Sequence, residues 1–213
     1  MKISGFVTGI FEENCYVVSD DATGDAAIID PGADGDALVQ AIRDLDVLPR
    51  AVWLTHAHID HIGAVADVTR AWDVPVHLHP ADLPLFRAGS RQAAAYAIPF
   101  EQPPDPGVAL AEGMELTLGD LTFTVLHAPG HAPGHVVLLG HGVAFVGDCL
   151  FAGSVGRTDL PLSNPTDLER SLARITALPG ETRVLPGHGP ETTIARELRS
   201  NPFLVQRSPS GHR

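Results

Sequence analysis

A chain of 213 residues, 44% of them hydrophobic, can bury a sizeable core and fits one domain over residues 1–213. Its 14 basic residues against 26 acidic ones give a formal charge of -12 at pH 7, which works against any sequence-independent hold on a phosphate backbone, so no nucleic-acid partner is expected. No window reaches the roughly 18 apolar residues of a membrane span, and Glu12-Glu13-Asn14 stands where a signal peptide would carry small residues, so the expectation is a cytoplasmic protein with no membrane partner.

Ile3 to Val7 and Cys15 to Ser19 read as strands, and Ala26 to Ile29 as a third, apolar on both faces and stopped by Asp30-Pro31-Gly32. Asp34 or Asp36 caps a helix to about Leu45, on the spacing of Leu38, Ile42 and Leu45. Ala51 to Leu54 is a strand that runs into Thr55-His56-Ala57-His58-Ile59-Asp60-His61. A helix from Asp60 to about Trp72 follows, with the carboxylate of Asp60 in its first turn, where the helix dipole favours it.

Val74 to Leu78 is the next strand. Residues 80–112 carry six prolines and at most a short helix, Ser90 to Ala97; so long a connection reads as a lid or binding loop, and Phe86, Tyr96 and Phe100 are candidates for shaping a pocket or for packing in the core. Two hairpins follow, Met114 to Leu118 with Leu121 to Leu126 and His135 to Leu139 with Val143 to Val146, then a glycine-rich loop over 152–165. A helix from Thr166 to Ala177, a strand from Arg183 to Leu185 and a helix from Thr193 to Arg199 close the chain. Strands and helices thus recur as two loose halves, which fits an α/β fold of four layers, αββα.

The histidine stretch is the improbable feature, and it reads as a metal site. Three later segments offer a further ligand beside glycine at a strand end or in a loop: His131 after Pro129-Gly130, Asp148 after Gly147, and His188 between Gly187 and Gly189. Imidazoles with few carboxylates and no thiolate suit zinc, iron or manganese better than calcium or magnesium. His77 and His79 form a second H-x-H, but lack the Asp-His that follows the first; they read as structural, as do His127, His141 and His212. Cys15 and Cys149 form no C-x-x-C pair and read as small buried apolar residues.

With these motifs the chain resembles the metallo-β-lactamase-fold superfamily, specifically its glyoxalase II-like (hydroxyacylglutathione hydrolase-like) branch, from Asn14-Cys15-Tyr16 through Asp30-Pro31-Gly32 to Asn201-Pro202-Phe203-Leu204. The resemblance implies two divalent metal ions, zinc first, with iron or manganese as alternatives. His56, His58 and His131 would hold one and Asp60, His61 and His188 the other, with Asp148 bridging them together with a hydroxide. Asp30 would orient the histidine loop through hydrogen bonds, and His135 would stay close without ligating. The implied activity is metal-dependent hydrolysis of a small-molecule thioester of the hydroxyacylglutathione type, with Asp60 and Asp148 as the catalytic carboxylates. The alternative is a mono-iron glutathione persulfide dioxygenase on the same fold.

The expectation is a short form that lacks the C-terminal glutathione-binding extension of the best-known branch members. In the loop Gly156-Arg157-Thr158-Asp159, Arg157 stands where they use Lys and Asp159 where they use Tyr. Arg157, Thr158 and Asp159 are the candidate substrate contacts, with the Arg157 fork suited to a carboxylate.

Overall fold

The computed structural model describes residues 1–205, so His212 lies outside the described residues. One mixed sheet contains β1 (Lys2–Thr8), β2 (Glu13–Ser19), β3 (Asp25–Ile29), β4 (Leu48–Trp53), β5 (Val76–Leu78) and β6 (Val108–Ala109), in that order, antiparallel up to β3 and parallel beyond it. The other contains β7 (Glu115–Leu118), β8 (Leu121–His127), β9 (Val136–Gly140) and β10 (Val143–Gly147). After a small ribbon of β11 (Leu150–Phe151) and β12 (Ser154–Val155), it is completed by β13 (Arg183–Pro186) and β14 (Thr192–Thr193), in the order β14-β13-β10-β9-β8-β7.

The two-residue period of the strands sorts side chains between layers. In β2 and β3, Tyr16, Val18, Ala27 and Ile29 face the other sheet and meet Phe123, Leu138 and Phe145. The alternate residues Cys15, Val17, Ala26 and Ile28 face outward, under Leu38 and Ile42 of α1 (Gly35–Arg43) and Val65 and Val68 of the third helix. In β10, Ala144 and Val146 face Leu168, Leu172 and Ile175 of a helix on the opposite side. The architecture is the expected αββα sandwich.

One expected helix is two. In place of a run from Asp60 to Trp72, α2 (Ile59–Ile62) ends and α3 (Val65–Trp72) begins anew, because the amide of Ala64 turns to the carbonyl of Pro31 at 2.9 Å. The proline-rich stretch carries more helix than its composition suggests, α4 (Leu83–Arg87) and α5 (Gly89–Tyr96). In α6 (Pro165–Ile175), Asn164 accepts from the amides of Thr166 and Asp167, with Pro165 at the first helical position. Helices α7 (Ile194–Ser200) and α8 (Pro202–Val205) end the described chain. Among the described residues no helix is long and apolar enough to cross a membrane.

This order has one consequence for chemistry. The segments that leave β3, β4, β8, β10 and β13 carry Asp30, the histidine stretch, His131, Asp148 and His188, and all open on one edge of the sandwich.

Candidate metal centre

At that edge the side chains converge. His61 Nε2 lies 3.4 Å from Asp148 Oδ1, His131 Nε2 lies 3.4 Å from Asp148 Oδ2, and His188 Nε2 lies 3.2 Å from Asp60 Oδ2 and 3.6 Å from Asp148 Oδ2. Asp148 is therefore the shared neighbour of three imidazoles. Close backbone approach requires glycine here: a Cβ on Gly187 would collide with Asp148 Oδ1, and Gly147, at φ 45°, has no room for one beside Thr55 Oγ1.

The outer ring nitrogens are fixed by oxygen acceptors, which settles where each ring carries its proton. His131 Nδ1 donates to the Arg157 carbonyl at 2.9 Å, His188 Nδ1 to the Phe11 carbonyl at 3.0 Å, and His61 Nδ1 to Asp30 Oδ2 at 3.0 Å. Thr55 gives its only hydroxyl proton to Asp30, Oγ1 to Oδ2 2.6 Å, so the same oxygen accepts from His56 Nδ1 at 3.1 Å. Four rings thereby turn Nε2 inward. His58 uses the other atom: its Nδ1 lies 2.9 Å from His131 Nε2.

Asp30 is the hub of this arrangement. It accepts from the amide and hydroxyl of Thr55 and from His61, while its own backbone sits at φ 50°, a left-handed conformation uncommon for any residue but glycine.

The electrostatics divide the cluster. Burial, aided by neighbouring imidazoles, pushes His56 well below the ordinary histidine range and takes His58 down to about 3; burial also lowers His131. Burial opposes charge on His61 as well, but Asp148 and Asp60 outweigh it and raise that ring. Burial would raise Asp148 and Asp60; the facing imidazoles, His61 first, override it and hold both carboxyls below their usual range.

The donor set fits a pair of metal ions. His56, His58 and His131 bring three ligand atoms within 4.8 Å of one another, and Asp60, His61 and His188 do the same. Asp30 with His56 and His61 makes a third such group, but both Asp30 oxygens are already engaged by Thr55 and His61. Among the described residues the buried side-chain nitrogens and oxygens without a partner are Glu13 Oε1, His56 Nε2, His61 Nε2 and Asp148 Oδ1, and the last three point into the cluster. Imidazole nitrogen and carboxylate oxygen are ligands for zinc, iron or manganese. Cys149 is not part of the set: burial pushes its thiol up, and its sulfur sits against the His135 ring at 3.4 Å and the Ala128 carbonyl at 3.5 Å.

A family model described as the metallo-beta-lactamase superfamily matches residues 8–188. The chain belongs to this superfamily. Among superfamily relatives, hydroxyacylglutathione hydrolase GloC of Haemophilus influenzae is 38% identical, over 98% of this chain and all of its own. The solved structure of BLEG-1, described as a B3 metallo-beta-lactamase, superposes with a TM-score of 0.90 at 38% identity, over 96% of this chain and 100% of its own. That of TTHA1623, in a di-iron-bound form, gives 0.88 at 45% identity, over 94% and 100%.

Above the superfamily cluster lies a cavity of about 580 Å³, with His58, Asp60, His131, Asp148 and His188 in its lining. Arg157 lines it too, while Thr158 and Asp159 do not; Arg157 meets Asp159 through Nε and a terminal nitrogen, at 2.6 and 2.7 Å. Of the three aromatic candidates, Tyr96 lines the cavity edge-on to Phe11, with ring centroids 4.9 Å apart. Phe86 is fully buried in the core, and Phe100 packs against that core beside a neighbouring cavity. Residues 80–112 thus furnish one wall, through Leu85, Ala88, Arg91, Gln92, Ala95 and Tyr96.

Sequence reasoning passed over three supporting residues. Asp82, fully buried and with its carboxyl raised to about 6 by burial, accepts from the amides of Ala57 at 3.0 Å and Gly134 at 2.5 Å, tying the histidine stretch to the His131 loop. Gln92 bonds to the backbone on either side of His58. Glu13, buried behind His61, accepts from Thr8, and burial raises its carboxyl. Asp82 alone among the three carried a sequence signal, as an acidic residue among apolar side chains and prolines in Pro80-Ala81-Asp82-Leu83-Pro84.

Proposed function

We propose that the protein is a dinuclear metal-dependent hydrolase of small-molecule thioesters of the hydroxyacylglutathione type. The observation that carries the reading is two three-residue ligand sets, joined by Asp148, at the foot of a cavity. His56, His58 and His131 would hold one ion, Asp60, His61 and His188 the other, and Asp148 both; a relative solved in a di-iron form and another named as a hydroxyacylglutathione hydrolase support this. Two divalent ions, when bound, supply hydroxide near neutral pH and polarise a carbonyl.

The chain's own residues supply the rest. Asp30, Thr55 and the carbonyls of Arg157 and Phe11 hold the imidazoles in the tautomers that ligation requires. The apolar wall of Leu85, Phe151, Val155 and Leu160 accommodates an acyl chain and displaces water from it. Beyond the cluster, the described residues of the lining include neither a carboxylic acid nor an imidazole to protonate a leaving group. A thiolate, with a conjugate pKa of roughly 8.5, departs without one, whereas an amide nitrogen needs a proton. This favours a thioester over a β-lactam.

Metal stoichiometry, measured beside turnover, tests the reading. Protein produced with ample zinc and iron is expected to hold two ions per chain, to hydrolyse S-D-lactoylglutathione, and to consume no oxygen with glutathione persulfide. One iron per chain together with oxygen uptake would replace the hydrolase by a dioxygenase.

A further inference from the structure

The cavity wall contributed by α5 contains a cation that has no carboxylate partner among the described residues. Two arginines line the cavity, Arg91 and Arg157. Arg157 is held fork to fork by Asp159, and Arg50, Arg70, Arg87, Arg170, Arg174 and Arg183 likewise face a carboxylate. The guanidinium of Arg91 has no ion-pair or hydrogen-bond partner among the described residues. Seven of the eleven described arginines face a carboxylate; of the other four, Arg43, Arg91, Arg196 and Arg199, Arg91 is the one that lines the cavity.

The helix that carries it is tied down. The next residue, Gln92, donates from Nε2 to the carbonyls of Ala57 at 3.1 Å and Leu85 at 2.9 Å, and its Oε1 accepts from the amide of Ile59 at 3.1 Å. Ala57 and Ile59 flank His58, so the turn of α5 that carries Arg91 is fastened to the histidine stretch. Leu85, Ala88 and Ala95 line the same cavity and are apolar.

We infer that Arg91 is the specificity residue for the thiol carrier of the substrate, binding a carboxylate of that carrier through its guanidinium fork while the thioester carbonyl rests at the cluster. This rests on the hydrolase reading above. It moves the role expected of Arg157 to another element, because the Arg157 fork is already closed by Asp159. A bidentate guanidinium contact to a carboxylate is stronger than a neutral hydrogen bond and geometrically selective.

The test uses the metal-loaded protein, a charged and an uncharged substrate, and an uncleavable ligand. For S-D-lactoylglutathione, Arg91→Ala is expected to raise KM about tenfold with kcat within about twofold. For the uncharged S-lactoyl-N-acetylcysteamine, kcat/KM should not change. Arg91→Lys, which keeps the charge without the fork, should recover part of the loss. Calorimetric binding of S-hexylglutathione, a thioether, should weaken about tenfold in Arg91→Ala. Equal losses on both esters, or an unchanged KM and Kd, would overturn the assignment, as would a wild-type protein that binds no S-hexylglutathione. If wild type cleaves neither ester, the hydrolase reading falls, and calorimetry alone decides: weaker binding in Arg91→Ala keeps Arg91 as a carboxylate anchor, and equal binding removes it. Alanine is at least as good a helix former as arginine, so the variant is expected to fold.

Discussion

Two H-x-H pairs follow neighbouring parallel strands, and only one belongs to the cluster. His56 and His58 leave β4 with their free nitrogens directed at carboxylates and other imidazoles; His77 and His79 lie on and just beyond β5, one strand over. His77 Nδ1 is within 3.2 Å of the Val52 carbonyl, and His79 Nδ1 accepts from the amide of Ala81 at 3.3 Å while its ring stacks on His127, centroids 4.1 Å apart. A neutral imidazole has one acceptor nitrogen, so His79 has used its own on a turn, whereas Asp30 and Thr55 engage the donor nitrogens of His61 and His56 and leave the acceptors open. Spacing does not distinguish the pairs; the turn amide occupies the acceptor of His79, and among the described residues neither His77 nor His79 belongs to a three-residue ligand group.

The largest expected effect sharpens that contrast. His58→Ala should remove about one of two bound ions and lower turnover by more than about a hundredfold, exceeding what the loss of an outer hydrogen-bonding partner costs. His79→Ala should keep both ions and stay within about twofold of wild type. Metal analysis beside steady-state kinetics reads both; loss of metal in the His79 variant would erase the distinction.

A smaller effect concerns the residue that makes the difference. Asp30 touches His61 and, through Thr55, governs His56, but belongs to neither open three-residue set. Asp30→Ala should weaken metal affinity by roughly 10–100-fold without changing the stoichiometry at saturating metal. Competition against a chelator measures it, and unchanged affinity would remove Asp30 from the orienting role.

The histidine stretch, His131, Asp148 and His188 stood out in the sequence because the stretch ends an apolar strand with an improbable spacing and the other three each sit beside glycine. Asp82 and Gln92 did not, since their meaning lies in partners far along the chain: Asp82 is 25 residues from Ala57 and 52 from Gly134. Nothing local distinguishes such a carboxylate from an ordinary turn residue. The break between α2 and α3 was invisible for the same reason, being imposed by the Pro31 carbonyl. Arg91 shows the converse: what singles it out is a partner it lacks.

The smallest effect isolates the second pair through proton linkage. Burial, with the facing His127, takes His79 down to about 4 from an ordinary value near 6.5. The unfolded chain binds a proton there before the folded one does, so stability is complete above about pH 6.5 and declines as pH falls toward 4. Because the ring is only half buried, solvent screening limits the contribution to about 1 kcal/mol. In chelator-treated protein, where the cluster titrates alike in both forms, His79→Gln should therefore lose less stability than wild type between pH 7 and pH 5, by urea unfolding, while its reloaded form turns over substrate normally. Identical pH slopes for the two proteins would mean that the His79 ring is solvated and that its stacking on His127 does not hold off the proton.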